Sequence, residues 1–191
     1  MEQMTFLYTA RGIFDKTYNR DGRTWDSYIK WSKLTHLTEV VSLDLILNEL
    51  LVEPDYDNPD DWNFIQTDGQ WQTNLFTTEE YVLQRTKTKQ KFNLLTVIVN
   101  PNHDCKDILL TDYEFMGYEL LDWGYGNSAL TNCGGFDEIF LPSDLNSVGL
   151  IEDYLAAYDI RKRLLENNPE EHHANTNIIA IWLHKTIGRE K

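Results

Sequence analysis

Cys133, His172 and His173 are the side chains in this chain whose types could carry out covalent chemistry. A cysteine attacks as the thiolate. A nearby imidazole lowers the thiol pKa and carries its proton. Asn175 or Asn177 could orient such a ring. On this reading the protein is a small Cys/His-dependent hydrolase or transferase with Cys133 as nucleophile. No signature of a thiol-enzyme family surrounds Cys133, and the plainer reading of His172-His173 is a solvated loop before a strand.

Cys133 lies in the most unusual stretch of the sequence, Gly117 to Phe136, which holds five of the ten glycines. Glycine allows left-handed backbone and close approach by another group. Asn127, Ser128, Thr131 and Asn132 add neutral hydrogen-bonding groups, and Tyr118, Asp122, Trp123 and Tyr125 could supply a binding surface. The segment reads either as a loop framing a binding site or as a long folded connection with Cys133 as a small buried hydrophobe.

Other arrangements are weaker. His103-Asp104-Cys105 and His172-His173 could offer ligands, but adjacent residues on extended chain point apart. There is no Cys-x-x-Cys, His-Glu-x-x-His or calcium-type Asp loop, so no metal site is expected. No Gly-rich phosphate loop follows the first strand, and no cofactor is expected. Neighbouring acids such as Asp60-Asp61, Asp137-Glu138 and Glu152-Asp153 read as surface charge, since acid/base work needs carboxyls facing each other across a bond.

Charge is the strongest signal. Residues 101–160 hold twelve carboxylates and only Lys106 as a base, a local charge of −11 in a chain of −14. Such a field selects cationic partners and, with a pI near 4.6, disfavours nucleic acid and anionic membranes. No apolar run approaches the ~20 residues that span a bilayer. Cys105 and Cys133 could bridge, but without an export signal they are expected to stay reduced in a cytoplasmic protein. The favoured function is therefore an immunity-like binding or inhibitory module for a basic protein partner, with Tyr113, Tyr118, Trp123 and Tyr125 as aromatic anchors among the acids.

The elements that must position these residues follow from periodicity. Residues 5–9 read as a strand and Arg11 to Lys16 as a turn region. Asn19-Arg20-Asp21-Gly22 is a turn. A helix capped by Thr24 has Trp25, Tyr28, Ile29 and Trp31-Ser32 at its apolar positions and ends near Leu34. Residues 38–43 predict a strand and 43–51 a short helix. Residues 53–61 read as a loop and 62–71 as a hairpin. A helix starts at Thr77-Thr78-Glu79-Glu80. Arg85, Lys87, Lys89 and Lys91 alternate as on an exposed edge strand. Residues 92–99 predict a central strand, 114–121 a second and 176–183 a third. Residues 147–167 predict a helix burying Val148, Ile151, Leu155, Tyr158, Leu164 and Leu165. This order predicts an α+β fold, one compact domain over 1–191 with a mixed or antiparallel sheet, with α/β as the alternative.

Overall fold

The structure is a computed structural model that describes residues 5–20, 22–53, 75–122, 126–132, 139–167 and 169–189. It is α+β, as the order of elements predicts. Four antiparallel strands form the main sheet in the order β1 (Leu7–Arg11), β6 (Asn93–Val99), β8 (Thr176–His184), β7 (Tyr113–Asp122). Around it lie short strands β2 (Phe14–Asp15), β3 (Asn19–Arg20), β4 (Arg23–Thr24) and β5 (Glu39–Val40), and helices α1 (Trp25–Ser32), α2 (Glu79–Thr86) and α3 (Tyr154–Asn167).

The pairing register assigns every side chain of the sheet to a face. Tyr8, Ala10, Leu94, Thr96, Ile98, Ile178, Ala180, Trp182, Tyr118 and Leu120 share the face against which α2 and α3 pack. Leu7, Leu95, Val97, Ile179, Ile181 and Leu121 share the other, covered by Val41, Leu43 and Leu150. β6 and β8 are thus buried on both sides, which explains their unbroken apolar runs. Each such Leu, Ile or Val contributes roughly 1.5–3 kcal/mol relative to exposure, so these two strands anchor the fold.

Both sheet edges are closed by extra chain. Tyr8 bridges to Phe76 and Arg11 to Leu50 on one side, and Tyr118 to Ile151 and Leu121 to Ser128 on the other. The second closure demands a glycine. Gly117 sits at φ +134 beside a bulge in β7, and a Cβ there would lie 2.7 Å from the Ile151 carbonyl oxygen.

α1 forms where its sequence implies, but of its expected apolar positions Trp31 stays largely outside the core. The Thr24 hydroxyl accepts from the Ser27 N–H while the Ser27 hydroxyl accepts from the Thr24 N–H, and Lys33 closes the helix in the left-handed region at φ 63. Elsewhere local pattern gives way. The helix expected over 43–51 is a set of turns, because the Asp44 carboxylate takes the N–H groups of Ile46 and Leu47, each at 2.8 Å. The strand expected at 38–43 shortens to Glu39–Val40, and the following chain lays Val41 and Leu43 onto the sheet. The alternating basic row is no edge strand: Arg85 belongs to α2, where its guanidinium stacks 3.9 Å over the Tyr81 ring, and Lys87 caps that helix. Arg11, expected in a turn region, ends β1 and is fully buried.

α3 corrects the longest helix prediction. It begins at Tyr154, with the Asp153 carboxylate accepting from the Ala156 N–H at 2.8 Å. Its buried face is Ala157, Ile160 and Leu164, whereas Leu155, Tyr158 and Leu165 are 68%, 51% and 53% exposed. The loop at 54–61, the hairpin at 62–71 and the turn residue Asp21 lie outside the described residues.

Candidate functional site

Cys133, Trp123 and Tyr125 also lie outside the described residues, so the thiol and two expected anchors have no described geometry. His172 and His173 form part of a short 3-10 turn, His172–Ala174, that packs against α3 and β7. Asn132, the neighbour of Cys133, is held on the opposite face of the sheet, where its amide donates to Asp44 at 3.0 Å. Cys105 is buried, and burial raises its thiol pKa to about 11, with Asp104 pushing the same way. The 103–105 triplet does not converge: Asp104 binds the Tyr118 hydroxyl while the Cys105 thiol donates to the His103 carbonyl. Among the described residues, no group of three His, Cys, Asp or Glu could hold a metal ion.

Two expected surface residues are interior. Tyr118 and Asp122 are fully buried, because both project from β7 toward the layer containing α3. Tyr118 packs between Phe115 and Tyr154, with ring centroids 5.3 and 5.6 Å away. Its hydroxyl donates to Asp104 at 2.6 Å and accepts from the Cys105 N–H at 2.6 Å. That first bond, helped by the Lys106 N–H, holds the Asp104 carboxyl below its ordinary range. Tyr118 is thus a clasp for the 104–105 loop. Tyr113, also named as an anchor, is buried at 9% exposure. Asn127 and Asn132 are half-buried.

Sequence reasoning missed a buried ionic cluster on the other face. Arg11, Asp44 and Glu119 are all fully buried. Glu119 accepts from the Ser42 hydroxyl and, at 2.8 Å, from the Leu43 N–H. Asp44 accepts four N–H bonds: Ile46 and Leu47 through one oxygen, and Ser128 at 2.8 Å and Asn132 at 3.0 Å through the other. Burial lowers the Arg11 pKa to about 10, against the opposing pull of Glu119 and Asp44. Burial likewise raises Glu119 to about 7, partly offset by its hydrogen bonds from Ser42 and Leu43. A signal existed: Leu7, Thr9 and Arg11 alternate onto one face, and Glu119 interrupts an apolar strand. Both imply a charge that must find its partner inside.

Four exposed acids converge. Asp144, Glu152, Asp153 and Asp159 line one groove of about 470 Å³, floored by Leu145, Ile151 and Ile160 between the 143–153 segment and α3. Arg163 is the only base on its lining. Among the described residues, no cation forms a salt bridge with any of the four. Asp144 and Asp153 are held in place by backbone N–H groups of Leu141 and Ala156. The Tyr154 hydroxyl donates to the Pro101 carbonyl at 2.9 Å, tying the loop that leads to Asp104 and Asp107 beside the first turn of α3. Leu155 and Tyr158 stand on the outward face of the same helix. No described helix is long and apolar enough to cross a membrane.

Compared with protein-family models, with curated proteins and with solved structures, the chain matches none.

Proposed function

We propose that this protein is a cytoplasmic, immunity-like binding module that captures a cationic segment of a partner protein in the acidic groove beside α3. One observation carries the reading: four carboxylates that form no salt bridge among the described residues face a single groove with one base, Arg163, on its lining, and the helix that forms one wall also exposes Leu155, Tyr158 and Leu165. Acids supply attraction and register, while apolar side chains supply the desolvated contact that holds a complex together. A basic, amphipathic helical segment satisfies both. Tyr158 takes the anchoring role expected of Tyr118, which is buried.

A labelled amphipathic Lys/Leu peptide of eighteen residues, titrated against the protein at several salt concentrations, tests this. Binding should saturate and weaken steeply with salt. Glu152 and Asp159 make no described hydrogen bond, so E152Q/D159N removes charge without removing a cap. It should weaken binding about tenfold, since two rim charge pairs at ~0.7 kcal/mol each amount to one decade. Unchanged affinity in that variant, with its melting temperature intact, would remove the groove from the function.

A further inference from the structure

A second concavity is lined by residues that hydrogen-bond to Asp44 of the ionic cluster. It measures about 380 Å³ and runs between α1 and the 46–47 turn. That volume falls within the range of small-molecule sites. Phe14, Tyr28 and Leu47 form its floor, each less than 9% exposed, while Trp31 and Ile46 form its rim at 49% and 46% exposed. The three rings make a continuous aromatic wall: Phe14 to Tyr28 is 5.1 Å between centroids and Tyr28 to Trp31 is 6.1 Å.

The polar groups on this lining are few. Thr24 and Ser27 are engaged in the α1 capping box. Two remain. Arg23 is exposed at the rim, and among the described residues no carboxylate forms an ion pair with it, whereas neighbouring Arg20 is paired with Glu49. Asn132 presents its amide N–H to Asp44, which as a carboxylate can only accept, so the amide carbonyl is the group left for a ligand donor.

The cleft is also built rather than incidental. Asp44 fixes the backbone of Ile46 and Leu47 on one side and the Asn132 side chain on the other. Ser128, which donates its N–H to the same carboxylate, holds the loop that carries Asn132. One buried carboxylate therefore sets the positions of both the apolar wall and the polar end. Local charge matches an anion despite the acidity of the whole: Lys16 to Lys33 contains five bases and two acids.

From this geometry we propose that the cleft binds a small aromatic carboxylate, its ring against the Phe14–Tyr28–Trp31 wall, its carboxylate on Arg23 and a ring donor on Asn132. Asp44 is a positioning residue. This site is separate from the acidic groove and does not depend on it.

4-Hydroxyphenylacetate and tyramine share a ring and hydroxyl and differ in the sign of charge. Isothermal titration with each should show saturable binding of the acid and at least tenfold weaker binding of the amine. R23Q, at an exposed position, should leave the melting temperature unchanged and abolish that preference. W31A should weaken the acid while preserving the melting temperature. Equal affinity of acid and amine, retention of the preference in R23Q, or no saturable binding of the acid overturns the proposal.

Discussion

Glu119 is the residue at which sequence and environment conflict most. Its strand is covered on both faces: Tyr118 and Leu120 are buried on one, and the Glu119 carboxyl is carried beneath the other beside Leu121. Desolvation then favours the neutral acid and moves its pKa from 4.5 to about 7. Linkage fixes the sign. Below pH 4.5 both folded and unfolded chains hold this proton, and as pH rises toward 7 the unfolded chain releases it first, so stability falls across that window. At about 1.4 kcal/mol per pH unit, the upper limit of the effect is roughly 3 kcal/mol. Urea unfolding of wild type and E119Q between pH 5 and 8 should therefore show a stability difference that changes with pH, with wild type losing more as pH rises. Parallel profiles would mean that Glu119 ionises normally in the folded protein. Arg11 and Asp44 face this group and share its burial, so its proton also governs the net charge of the cluster behind the aromatic cleft.

At the scale of elements, identical local signals have different outcomes. Thr24 and Thr78 both precede helices, yet only the Thr24 hydroxyl makes a capping bond. Thr24→Ala should cost about 1 kcal/mol in chemical denaturation, and Thr78→Ala markedly less. A T78A loss equal to that of T24A would show that cap geometry is not the deciding factor. α1, β6, β7 and β8 were legible because each has one strong period or a clear cap. The 43–51 segment was not, because its apolar spacing suits a helix while Asp44 diverts the first N–H groups to its side chain. α3 was legible as a helix but misread as to its face. Leu155, Tyr158 and Leu165 form as good a stripe as Ala157, Ile160 and Leu164, and only contact with β7 and β8 decides which one is covered.

For the whole molecule, charge separates the two candidate surfaces. The groove beside α3 gathers acids, and the cleft beside α1 lies in a locally basic segment. Long-range attraction sets encounter rates, whereas packed apolar contact sets dissociation. With a basic amphipathic probe, E152Q/D159N should therefore slow association at low salt, and L155A/Y158A should speed dissociation with association nearly unchanged. Stopped-flow measurement separates the two, and an association rate indifferent to salt counts against electrostatic capture.

The amino-acid sequence by itself determined the class of fold, the central position of β6, the capped start of α1 and the acidic bias of residues 101–160, because each depends on local periodicity or on simple counting. Tertiary structure alone decided which charges are inside. Glu119 and Asp122 count toward the acidic total yet are buried, while Asp144, Glu152, Asp153 and Asp159 meet at one groove. It also brought Asp44 to Ser128 and Asn132, more than eighty residues away in the chain. Alternation along a strand shows that two residues share a face. Which face is covered, and by what, depends on contacts between distant segments, and no local pattern encodes those.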